Sequence, residues 1–159
     1  MSPDTNPDTN LEPALKTVRA LLENEGEASL ATLDGEGFPF ASLVTFAMDD
    51  EQHPLLLLSG LAQHTTNLDG DTRASLLIGK SDMPDTQTRS RATLVGHVAP
   101  LEDADAIADA RTRFLARHAS AKAYVDFKDF RFFAMTIDHV HVVEGFGRIV
   151  GFPADALRP

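Results

Sequence analysis

The chain has 159 residues, with 14 Lys and Arg against 24 Asp and Glu, a formal net charge of −10 and no Cys. The lack of cysteine excludes disulfides, thiolate metal sites, iron–sulfur clusters and cysteine nucleophiles, and the few scattered cations argue against nucleic acid as a partner. One domain with a real core is expected from this length.

Met1 to Asn10 is polar and carries PDTN twice, so residues 1–10 are expected to be a disordered tail with no signal peptide. Leu11, Leu15, Val18, Leu21 and Leu22 are spaced as one helical face, with Pro13 in the first turn and Gly26 just past the end. The period then changes. Ala28 to Leu33 reads as a strand, Asp34-Gly35-Glu36-Gly37 as a tight turn, and Phe38 to Met48 as a second strand. Pro54 to Ser59 is apolar on both faces and should be a central, buried strand, far too short to span a bilayer.

Gly60 to Gly70 reads as a short polar connection with room for a helical turn. Arg73 to Gly79 and Arg91 to Pro100 are further strands, separated by the polar loop Lys80 to Ser90, and Gly96 allows a bulge. Glu102 to His118 reads as a helix and Tyr124 to Phe127 as a linker. Phe130 to Ile137 and Asp138 to Val143 carry the last strand material, closed by Gly145-Phe146-Gly147-Arg148. Many short antiparallel strands with few helices predict a small barrel over residues 11–152, followed by a C-terminal tail, residues 153–159.

Three stretches carry a family resemblance: Ala28 to Phe46, ending in Ser42-Leu43-Val44-Thr45-Phe46; Ser59-Gly60-Leu61-Ala62-Gln63-His64-Thr65-Thr66-Asn67-Leu68 with Arg73-Ala74-Ser75-Leu76-Leu77; and Arg91-Ala92-Thr93-Leu94-Val95-Gly96 with Tyr124-Val125-Asp126-Phe127 and Gly145-Phe146-Gly147-Arg148. In this order they resemble the pyridoxamine 5′-phosphate oxidase-like flavin-binding split barrels, and are most similar to the branch related to haem-utilisation proteins. The resemblance implies a mostly β fold with flanking helices, an antiparallel split β-barrel, with FMN held at a homodimer interface. Two departures stand out. Longer haem-utilisation relatives carry an extra C-terminal domain, whereas this chain stops at Pro159. The family's phosphate-binding lysine position, in a Lys-x-x-Asn-Leu pattern, is His64 here, which makes phosphate affinity weaker or pH-dependent.

FMN needs donors for its phosphate, a flat apolar slot for its ring and hydrogen bonds for its polar edge. Ser59, His64, Thr65 and Asn67 could serve the phosphate, helped by free N–H groups of a helical turn; the competing reading is an ordinary capped turn. Thr45 could donate to the ring or ribityl chain, or serve only β propensity. Arg148 could reach a cofactor phosphate, including one across a dimer, or form a structural salt bridge. His139 and His141 share a strand face but have no third ligand nearby in sequence, and no metal site is expected.

The resulting expectation is a cytoplasmic, FMN-dependent oxidoreductase whose flavin does the hydride chemistry and whose small-molecule substrate is unspecified, with no nucleic-acid or membrane partner. The alternatives are a haem-binding or haem-utilisation protein, with one of six histidines as axial ligand, and a non-catalytic flavin-binding dimer.

Overall fold

The computed structural model describes residues 10–158. The repeated PDTN segment therefore lies outside the described residues except for Asn10, whose Oδ1 accepts from Glu12 N at 3.1 Å. Helix α1 (Glu12–Asn24) carries the anticipated apolar stripe, and Leu15, Val18, Leu21 and Leu22 all enter the main core.

Seven antiparallel strands follow: β1 (Glu27–Leu33), β2 (Pro39–Met48), β3 (Pro54–Ser59), β4 (Arg73–Gly79), β5 (Arg91–Pro100), β6 (Phe130–Glu144) and β7 (Arg148–Pro153). Their order is β3-β2-β1-β4-β5-β6-β7, and a further β3–β6 pairing closes the first six into a barrel. The split barrel anticipated from the sequence is thus the fold. The 15-residue β6 makes closure possible. Its first part, Phe130–Ala134, pairs with β3, and its last part, His139–Glu144, pairs with β7.

Local chemistry explains the corners. Between β1 and β2 the Asp34 carboxylate accepts from Glu36 N and Phe38 N at 2.9 and 2.8 Å, and Gly37 adopts φ +86°. The β5–β6 register shifts at Val95/Gly96, the bulge anticipated at Gly96. Only glycine fits there, because a Cβ would sit 2.0 Å from Thr136 O.

β3 is buried on both faces for two different reasons. Leu56 and Leu58 face the barrel interior, whereas Leu55 and Leu57 face helix α3 (Ala104–Arg117). Phe114, Ala121, Val125 and Phe132 complete that second apolar cluster. Helix α3 begins at the Asp103 cap, whose side chain accepts from Ala106 N.

The structure differs from the sequence pattern in several places. The polar connection after β3 contains a full helix, α2 (Gln63–Gly70), because its residues find partners inside the barrel end rather than in water. A 3-10 turn (Ala119–Ala123) precedes the linker, and the last strand material is one continuous strand, β6. Residues after Gly147 form the separate strand β7. The chain also remains packed beyond Phe152: a 3-10 turn (Ala154–Leu157) returns Leu157 to the core at 2% exposure, and Arg19 donates to Leu157 O.

Candidate functional site

The site follows from where the barrel is split. β2 and β3 pair only over Phe46–Met48 and Pro54–Leu56. Beyond that point β2 stays on β1 while β3 pairs with β6, so the two strands diverge. A cleft of about 290 Å³ opens between them, lined by Val44 and Thr45 on one lip, Leu57, Leu58 and Ser59 on the other, and His64 of α2. The strand edges facing this cleft lack a sheet partner and leave backbone donors and acceptors available.

Helix α2 is seated by polar contacts to inward-facing positions. Asn67, 4% exposed, donates through Nδ2 to Thr32 Oγ1 at 3.0 Å and accepts from Gln63 Nε2 at 2.8 Å. Thr65, fully buried, donates to Ser59 O at 2.6 Å. Ser59 Oγ donates to Asp129 Oδ2 at 2.7 Å and accepts from Leu61 N at 3.1 Å. The hydroxyl and amide groups of these three residues are thus engaged within the protein.

His64 differs. Its Nδ1 lies 3.2 Å from Ser42 Oγ, but its Nε2 is buried with no partner among the described residues. Burial holds the imidazole below its ordinary pKa, so the ring is neutral at neutral pH. In the tautomer whose Nδ1–H donates to Ser42, the Nε2 lone pair is free. A buried polar atom without a partner calls for a reason, and the residue that carries it lines the cleft.

Of the six residues anticipated from sequence, Thr45, Ser59 and His64 line the cleft. Thr65 and Asn67 stand behind it as fasteners of α2. Arg148 is elsewhere, at the start of β7: its Nε is 2.9 Å from Glu144 Oε2, a close ion contact without hydrogen-bond alignment, and its Nη2 donates to Asn10 O. Sequence reasoning missed the role of Ser42, although its alternation with buried Val44 marks it as inward-facing. It also missed Asp129, whose partner Ser59 is 70 residues away.

A second cleft, about 530 Å³, adjoins the first and shares Glu27 and Leu43 with it. Its floor is the outward row Leu43–Ser29–Leu77 across β2, β1 and β4. The loop between β4 and β5 supplies Ser81, Thr86 and Arg89 as a wall, and Arg91 comes from β5.

The other histidines have different settings. His118 Nε2–H donates to Phe46 O at 2.7 Å, His53 pairs with Asp49, and His97 contacts Thr72 and Asp138. His139 and His141 lie on the outward face of β6, opposite Val95 and Thr93.

A family model described as CREG, beta-barrel matches residues 9–155. The chain belongs to the CREG β-barrel family. It is 38% identical over 110 residues to the chloroplastic non-canonical haem oxygenase HOZ of Arabidopsis thaliana, a match spanning 69% of this chain and 33% of the plant protein. A haem-binding protein from Mycobacterium smegmatis superposes with a TM-score of 0.83 at 34% identity, covering 91% of this chain and 59% of that one. The chain thus spans well under two-thirds of both relatives. A Clostridium acetobutylicum protein related to general stress protein 26, of the pyridoxinephosphate oxidase family, shares the fold: TM-score 0.72 at 16% identity, covering 92% of this chain and 98% of that one. The Clostridium match shows a shared fold alone, and the haem-oxygenase and haem-binding relatives are of the kind the sequence motifs resembled. Among the described residues no helix is long and apolar enough to cross a membrane.

Proposed function

We propose that this chain binds haem in the split between β2 and β3, with His64 Nε2 as the iron ligand. The observation that carries the reading is the buried, unpartnered Nε2 of a neutral imidazole whose other nitrogen is held by Ser42. Metal-bound histidines are oriented in the same way, through a hydrogen bond made by the second ring nitrogen. The apolar lips Val44, Leu57 and Leu58 suit a porphyrin ring. The haem-binding and haem-oxygenase relatives support the same reading.

Bound haem would supply a redox-active iron. This chain's residues would do the rest. His64 holds the metal, Ser42 fixes the imidazole tautomer, and Thr65 and Asn67 keep α2 seated so that His64 cannot turn away. Val44 and Leu58, both lining the cleft, would give it an apolar side.

The donor set fits an FMN phosphate at this position less well. His64 is neutral, the groups of Ser59, Thr65 and Asn67 are already engaged, Arg148 is not in the cleft, and Glu27 is. A flavin-dependent oxidoreductase is the second reading. It is favoured by the larger cleft, where Arg89, Arg91, Ser81 and Thr86 offer cationic and hydroxyl donors. Both readings include a homodimer, in which a second copy covers the exposed Leu43 and Leu77 beside the clefts. A cytoplasmic setting belongs to the proposal, whereas the plant relative is chloroplastic.

The test is visible spectroscopy of the purified chain with haemin and, separately, with FMN. Haemin should give a Soret band whose position changes in His64→Ala, with affinity reduced tenfold or more. An unchanged Soret position and affinity in that variant would remove His64 from the iron, and flavin uptake without haemin uptake would transfer the proposal to FMN.

A further inference from the structure

The larger cleft holds two neighbouring arginines, Arg89 and Arg91. Five arginines, Arg73, Arg111, Arg113, Arg131 and Arg148, each contact a carboxylate within 4 Å. Arg89 and Arg91, both on the wall of the 530 Å³ cleft, make no such contact among the described residues. Arg89 Nε donates to Met83 O, and Arg91 Nη1 donates to Arg89 O at 3.1 Å. Each guanidinium carries five N–H donors, so most of this donor set remains free. In a chain with net charge −10, two adjacent cations without a carboxylate contact make this corner of the cleft locally favourable to an anion.

The position of this corner relative to His64 gives it meaning. Arg91 pairs with Gly79, two residues along β4 from Leu77, and Leu77 connects through Ser29 to Leu43, where the two clefts meet. With strands ~4.8 Å apart and a rise of ~3.4 Å per residue, the Arg91 backbone lies about 16 Å across the sheet from Leu43. That is the reach of an extended flat ligand rather than of a small ion. Two acids share the cleft. Glu25 Oε1 already accepts from Ser81 N at 3.2 Å. Glu27 stands at the junction of the clefts and contacts neither arginine. An acidic end is thus repelled at the junction and attracted at the far corner, which orients the ligand.

We infer that Arg89 and Arg91 form the anion-holding corner of the ligand site and take the carboxylates of a tetrapyrrole whose ring reaches the β2–β3 split. This rests on the haem reading above. A flavin phosphate has the same chemistry and is the other source the test must separate.

The experiment compares haemin with haemin dimethyl ester, which lacks free carboxylates, and FMN with riboflavin, which lacks the phosphate. Each is titrated into the wild-type chain, Arg89→Gln and Arg91→Gln. The expected result is that wild type binds haemin at least about tenfold more tightly than the ester. Either variant should lower haemin affinity to that of the ester, leaving ester binding and the Soret position unchanged. Equal wild-type affinity for haemin and its ester overturns the corner without using a variant, so a folding defect cannot mask the answer. Haemin bound as tightly by both variants as by wild type overturns it as well. Preference for FMN over riboflavin, lost in the variants, with no haemin uptake, keeps the corner and overturns the haem reading. Uptake of none of the four ligands overturns both.

Discussion

The two sides of β3 are built from the same kind of strand and end up as different chemistry. On the α3 side, Leu55 meets Phe114, Ala121 and Phe132 in an apolar cluster whose buried members are at most 8% exposed. At the split, β3 faces an opening. There Leu57 and Leu58 border a cleft, Leu43 beside it is 76% exposed, and a buried imidazole nitrogen has no partner. A strand covered by a helix stabilises the fold. The same strand left without a neighbour offers backbone edges, apolar lips and an orphan ligand atom, which is what a binding site needs and a core cannot keep.

This comparison can be broken most strongly on the packed side. Phe114 is fully buried, 5.8 Å from Phe132 and 4.9 Å from His118 between ring centroids. Phe114→Ala should destabilise by about 3–5 kcal/mol, read by urea unfolding, with the haemin affinity of the folded fraction preserved. A large affinity loss would show that the two sides are not independent.

Next in size is the polar seat of α2. Asn67→Ala leaves Thr32, 2% exposed, without its amide donor, and should cost about 1–3 kcal/mol. Because α2 carries His64, haemin affinity should fall along with stability, in contrast to Phe114→Ala.

A pH series sharpens the contrast further. Burial lowers the His64 pKa in the folded chain below the ordinary 6.5. Between that lowered value and 6.5 the unfolded chain binds more protons than the folded one. Stability should therefore decline as pH falls below 6.5 and level off beneath the folded pKa. Unfolding midpoints from neutral to mildly acidic pH should show this decline in wild type and a weaker one in His64→Ala. Parallel curves for the two proteins would mean that other groups carry it. Smallest in stability is Leu43→Glu, an exposed site, with a change within about 0.5 kcal/mol. Its readout is molar mass by light scattering, where a dimer in wild type should become monomer in the variant. A monomeric wild type would remove the second copy from the proposal.

Local patterns announced most of the barrel. The alternation in β1, β4 and β5, the Asp34–Gly37 corner and the bulge glycine Gly96 are short-range signals, and each element formed where they pointed. Helix α2 was harder to see because its residues are polar. Thr65 and Asn67 are buried only because Ser59 O and Thr32 Oγ1 await them from other elements. β7 was hidden for a similar reason: Arg148–Pro153 becomes a strand only against the far half of β6. Of the candidate site, Thr45, Ser59 and His64 lie together at the cleft, whereas Arg148 contacts Glu144, the salt-bridge alternative that its sequence position left open.

By itself the sequence determined the fold class, the order of nearly all the strands and the presence of a polar, histidine-bearing segment after the central strand, because alternation, turn chemistry and helical spacing act between near neighbours. Tertiary structure alone decided which donors are free. Ser59 is engaged by Asp129, Arg148 contacts Glu144, and His64 Nε2, Arg89 and Arg91 are left without carboxylate or hydroxyl partners. Whether a polar group binds a ligand or fastens the fold depends on what distant strands bring within about 3 Å of it, and no spacing along the chain records that.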